Sequence, residues 1–268
     1  YNSYYHELYY CHKHAFLVYS AAMEGRSLLA VSAARNLTSK CHIQYVGEDI
    51  RGIFQTYGPW LLQTLLRFGK WDEVLKVVSN IKRQETLMRQ NSMSLRKLSI
   101  VKSSTLDYTY AIADYAAAFS YASLAPTSNN SSMRMETCNS ARTNLNRFLV
   151  RAASGLRKEK LFLIDFGTLL DMATYTLFGR LTETCPEVVP LAREPTFYWA
   201  KAVKVQDGLP YMEPPFWPMN IRACFGNSLL KSSSKHAAAA ADVFKEDLEV
   251  SLRLLTKVHG PDASTALS

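Results

Sequence analysis

An apolar helical pattern interrupted by a glycine recurs along this chain, and no other sequence feature constrains the fold as much. In HAFLVYSAAMEGRSLLAVSAARNL, Phe16, Leu17, Ala21 and Met23 precede Gly25, and Leu29, Ala30, Ala33, Ala34 and Leu37 follow it. Both halves carry the spacing of an amphipathic helix. Gly25 is suited to the left-handed residue that ends a helix, and Ser27 is predicted to cap the next one. The pattern returns in PWLLQTLLRFGKWDEVLKVVSNI, with one helix from about Trp60 to Phe68, a break at Gly69 and a second helix from Trp71 to Ile81. Asp72 and Glu73 fall in the first turn of that second helix, where negative charge is favourable. A third copy is predicted in DMATYTLFGRLTETCPEVVPLA, broken at Gly179, with Pro186 and Pro190 spoiling its second half. A fourth is IRACFGNSLLKSSSKHAAAAADVFKEDLEVSL, whose turn is the Ser-rich stretch Lys231 to Lys235.

Between these copies, Tyr108, Ala111, Ile112, Tyr115, Ala116 and Phe119 recur at helical spacing. A polar loop (Ala125–Met133) leads to a partner helix, predicted from Arg134 to Gly155, with Leu145, Phe148 and Leu149 as its buried stripe. No alternation of β-branched residues is long enough to make a sheet. A single hairpin cannot bury its apolar face alone, so the expected fold is all-α: antiparallel helical hairpins stacked into a right-handed solenoid. The 268 residues are read as one such domain, 1–268. The chain starts at Tyr1 in sequence that already reads as helix, so further N-terminal repeats are expected to precede it.

Hydrophobic residues make up 48% and charged residues 20%, which fits a globular chain. The most apolar stretch, Ala111 to Ala125, is shorter than the ~20 residues of a membrane helix and holds Asp114, Ser120 and Ser123, so no membrane partner is expected. The net charge of +8 comes from scattered basic residues, with small groups at Leu95–Leu98 and Leu156–Lys160. No base-reading module is visible, so nucleic acid is expected only indirectly, through a larger assembly. Cys11, Cys41, Cys138, Cys185 and Cys224 are far apart and form no CxxC, which argues against a zinc site and a disulfide scaffold. Buried free thiols and a cytoplasmic location are the expectation. Asn36-Leu-Thr, Asn129-Asn-Ser and Asn130-Ser-Ser match the N-glycan acceptor pattern, which is common by chance.

Four stretches carry a resemblance: YYCHKHAFLVYSAAMEGRS (Tyr9–Ser27), LLRFGKWDEVL (Leu65–Leu75), LPYMEPPFWPMNIR (Leu209–Arg222) and VFKEDL (Val243–Leu248). In order and spacing they resemble a group of tetratricopeptide-repeat proteins common in bacteria and present in some eukaryotes. The resemblance implies a repeat scaffold and no particular reaction. The group has His-Asn-x-His-Phe where this chain reads His12-Lys13-His14-Ala15-Phe16, so the second histidine falls on Ala15. The Ala/Gly turn of the last hairpin has become Lys231-Ser-Ser-Ser-Lys235, and the closing Asn-Gly-Trp element is missing from GPDASTAL.

His6, His12 and His14 are candidates for a transition metal, although His12 and His14, two apart, diverge on a helix. The plainer reading has His12 hydrogen-bonding across its hairpin. Pro210, Pro214, Pro215 and Pro218 stiffen the stretch that carries Tyr211, Glu213, Phe216 and Trp217. As a site, this stretch is a rigid aromatic rim with one carboxylate, shared with the helix of His12, His14 and Tyr19. As structure, it is a wedge in which Glu213 caps a helix starting near Trp217 or pairs with Arg222. No GxSxG, phosphate-binding loop or GxGxxG is present, and Asp165 and Asp171 read as a solvated edge as readily as a carboxylate pair. The expected role is non-catalytic, without a cofactor: a protein or peptide held in the concave groove. Two alternatives are metal or small-molecule binding through the His12/His14 region and the Tyr211–Trp217 loop, and a structural subunit of a larger, RNA-containing assembly.

Overall fold

The computed structural model describes residues 3–41, 57–95, 107–128, 130–161, 164–210, 212, 214–215 and 217–259. Ten helices occupy most of them: α1 (Ser3–Met23), α2 (Ser27–Lys40), α3 (Trp60–Arg67), α4 (Trp71–Leu95), α5 (Asp107–Leu124), α6 (Ser131–Ala152), α7 (Phe166–Thr184), α8 (Pro195–Asp207), α9 (Ile221–Ser232) and α10 (Ala237–His259). Before α7, strands β1 (Lys160–Leu161) and β2 (Ile164–Asp165) form an antiparallel hairpin, Lys160 opposite Asp165 and Leu161 opposite Ile164. Each helix packs on the next in chain order, and α5 also packs on α3 and α7. The described residues thus form an all-α protein, in which no helix is long and apolar enough to cross a membrane.

The first two glycine turns have one construction. Gly25 and Gly69 have φ of +74° and +65°. After α1, Arg26 N–H donates to the Ala21 carbonyl and Gly25 N–H to the Ala22 carbonyl. After α3, Lys70 donates to Leu65 and Gly69 to Leu66. Both are the paired closure in which a left-handed residue satisfies the last carbonyls of a helix. This closure is so tight that only Arg26 separates the turn from α2, so Ser27 is already helical and does not cap.

The predicted break at Gly179 is absent, because α7 continues through it to Thr184. Trp199 of α8 lies against Gly179, and a Cβ there would come within 2.7 Å of the indole. The glycine serves close helix approach, not a turn. Gly226 in α9 does the same for Phe244 of α10. The end of α7 is set instead by the prolyl turn Pro186–Val188. The Ser-rich turn of the last hairpin lies where the sequence puts it, as a short 3-10 turn at Ser234–His236. Helix α4 outruns its predicted end at Ile81, its later residues Lys82, Glu85 and Arg89 being engaged in ion pairs.

Helix α5 is the centre of the core. It is buried on every side, through Ala111, Ala113, Ala116, Ala117, Ala118 and Ala122 as well as its aromatic residues. Small side chains let neighbouring helices approach, while Tyr108 stacks on Phe166, and Tyr115 meets Phe148 and Trp217.

The cysteines depart from expectation. Cys11 of α1 is bonded to Cys41 after α2, and Cys138 of α6 to Cys185 after α7. All four are buried, and Cys224 is the one free thiol. The partners are 30 and 47 residues apart, so no local spacing announces them. In the first pair, an antiparallel hairpin brings the end of α2 back alongside α1.

Candidate functional site

Three helices present polar residues on matching faces. Lys82, Glu85 and Arg89 on α4, and Asp107, Tyr110 and Asp114 on α5, are spaced so that each set lies along one side of its helix; Asn144 and Arg151 share a side of α6. Since α4 and α6 both pack on α5, these faces meet. Arg151 Nε donates to Asp114 Oδ2 at 2.8 Å, and its Nη2 reaches both Glu85 oxygens at 2.7 and 3.0 Å. Lys82 Nζ is 2.9 Å from Asp114 Oδ1 and donates to Asn144 Oδ1 at 2.6 Å. Arg89 Nε donates to Glu85 Oε1 at 2.9 Å, and the Arg151 guanidinium lies over the Tyr110 ring.

Asp114 is 1% exposed, so its carboxylate faces these cations and almost no water. Burial alone would pull the Arg151 pKa down, but its hydrogen bonds to Glu85 and Asp114 outweigh that and raise it. Burial pushes the Asp107 carboxyl up against the opposing pull of Arg151 and Arg89.

Where this network ends, an open groove of about 620 Å³ begins. Asn144 belongs to both. The α6 stripe Ser132, Glu136, Asn139 and Thr143 lines it together with Met135, and Tyr121 of α5 contributes an aromatic ring. Tyr121 is seven residues beyond Asp114, on the same side of α5. The groove therefore offers hydroxyls, amides, one carboxylate and an aromatic face, and through Asn144 it adjoins the ion-paired network. Sequence reasoning passed over all of it. The three-, four- and seven-residue spacings were the available signal, but they do not reveal which helices pair.

The residues singled out from sequence lie elsewhere. His6 is on α1, and its side chain is outside the described residues, as are Tyr211, Glu213 and Phe216. Among the described residues no hydrogen bond carries His12 across the hairpin; its ring meets Phe16 edge-on at 4.8 Å on its own helix. His14 Nδ1–H donates to the Tyr10 carbonyl at 3.0 Å. Among the described residues, the one close group of three metal-ligating side chains is Cys138, Cys185 and Glu187, and its two sulfurs are already bonded to each other.

Trp217 is 2% exposed and packs on Tyr115, so it forms part of the core and not of a rim. Arg222 is buried and pairs with Asp207. Arg67 of α3 donates to the Pro218 carbonyl and to the Ala22 carbonyl, which ties the prolyl stretch to the end of α1, near Tyr19. Helix α9 begins at Ile221, later than expected, because Asn220 is its cap: Oδ1 accepts from Ala223 N–H while Nδ2 donates to Asp247. Asp171 is paired with Arg157 at the surface, and Asp165 is exposed at the start of α7.

Fold and site define an all-α protein with an ion-paired helical core and one polar groove described beside it. Compared with known families, curated proteins and solved structures, the chain matches no family model, no curated protein and no solved structure.

Proposed function

We propose that this chain is a non-catalytic helical-repeat module, a tetratricopeptide-like solenoid that holds an extended peptide segment of a protein partner. Support for the repeat reading comes from the chain-order packing of the helices and from the identical closures at Gly25 and Gly69. The groove over Tyr121 carries the binding reading, because its hydroxyl and amide groups suit a peptide backbone and its ring an apolar side chain.

The test is affinity capture with the full chain, identification of the bound protein, and titration of its contact segment as a synthetic peptide. Tyr121→Arg and Thr143→Arg fill the groove and are expected to weaken binding at least about tenfold, equivalent to ~1.4 kcal/mol. Leu28→Arg, at a residue 83% exposed on α2, leaves binding unchanged. Equal binding by all three variants would remove the groove from the function.

A further inference from the structure

We propose that this chain matures in an oxidising, glycosylating compartment and carries an N-linked glycan on Asn130. Two independent observations meet here. The first is the pairing of four of the five cysteines into two buried disulfides. Disulfides of this kind form and persist where the surroundings are oxidising, and thioredoxin and glutathione keep cytosolic thiols reduced. Each forms by exchange with an oxidised disulfide carrier, which accepts two electrons as the two thiols lose their protons. This displaces the cytoplasmic expectation.

The second is the state of the Asn130-Ser131-Ser132 acceptor triplet. Asn130 is exposed, between α5 and α6. Its Oδ1 caps α6 by accepting from Ser132 N–H at 2.8 Å and Met133 N–H at 3.4 Å. No hydrogen bond to its Nδ2 is present among the described residues. A glycan attaches through that nitrogen, so the cap and the modification use opposite ends of the same amide. In the transfer, Nδ2 bonds to the anomeric carbon of a lipid-linked oligosaccharide. The bond from that carbon to the carrier diphosphate breaks, the lipid diphosphate leaves, and the amide nitrogen loses one proton to a base. The Asn36 triplet differs: it lies within α2, and its Thr38 hydroxyl is buried. Asn129, of the overlapping triplet, is outside the described residues.

Since Ser132 lines the groove, a glycan on Asn130 stands at its rim. The proposal does not depend on what the groove binds.

The experiment uses the full chain isolated from the cells that make it. Thiols are alkylated without reductant, and glycans are removed by an amidase in heavy-oxygen water, which converts an occupied asparagine to labelled aspartate. Expected are labelled aspartate at 130 and alkylation at Cys224 alone. Ser132→Ala removes the acceptor hydroxyl but keeps the backbone N–H that Asn130 caps, so the folded chain loses the glycan. An unlabelled Asn130, alkylated Cys138 or Cys185, or a glycan that survives Ser132→Ala would each overturn the proposal, the last by moving the site to Asn129 or Asn36.

Discussion

Asp114 is held between Lys82 at 2.9 Å and Arg151 at 2.8 Å with almost no water contact. Removing one partner of a buried pair leaves the other charge uncompensated, so Asp114→Ala is expected to cost about 3 kcal/mol, read by urea unfolding at pH 7. Asp107 gives a pH signature of the opposite character. Burial raises its carboxyl above the ordinary 3.8, so the folded state binds that proton more tightly than the unfolded chain does. Its contribution to stability is therefore present in acid and is lost as pH rises through the raised value. Glu159 shifts the same way, first by burial and then by Asp107. Asp107→Asn should flatten the fall in stability that follows as the pH rises above the ordinary carboxylate range, measured as unfolding midpoints from acid to neutral pH. Residue identity alone could not separate Asp107 or Asp114 from surface carboxylates such as Asp171, because the difference lies in what covers them.

At the scale of the element, glycine has two uses here. Gly25 sits at φ +74° with open space where a Cβ would go, so Gly25→Ala meets backbone strain only, about 1 kcal/mol. Gly179 has ordinary helical conformation, but Trp199 occupies the space of a Cβ, so Gly179→Ala overpacks α7 against α8 by about 1–3 kcal/mol. Denaturation of the two variants should also separate them by site: a shift in Trp199 environment, seen by fluorescence, accompanies only the second. Both glycines look alike in sequence, each following an apolar helical run. The residues after them differ: Gly25 precedes one linking residue and a new helix, while helical spacing continues past Gly179 through Leu181. The prolyl stretch was legible as the approach to the last hairpin, and α9 does follow it. That Trp217 turns inward against Tyr115 was not, since an aromatic beside prolines fits a rim or a wedge equally well.

For the whole molecule, each disulfide fastens two helices that already pack on one another, α1 to the end of α2 and α6 to the end of α7. The loops they close, spanning 30 and 47 residues, correspond to about 4 kcal/mol each in the chain-entropy account. Reduction should lower the melting temperature, and Cys138→Ala with Cys185→Ala should reproduce most of the effect of breaking that bond. The sequence by itself determined most of the helices, the left-handed turns at Gly25 and Gly69 and, among the described residues, the lack of an extended sheet. Those properties follow from spacings of three and four residues and from backbone preferences, which act within one or two turns. Tertiary structure decided which cysteines pair, where Asp114 finds its cations, and that a groove opens beside Tyr121. The paired cysteines lie 30 and 47 residues apart in the chain, and Asp114 lies 32 and 37 residues from Lys82 and Arg151. Their meeting depends on how helices rotate and close on one another, and side-chain volumes at contacts such as Gly179 with Trp199 set that only once the elements are assembled.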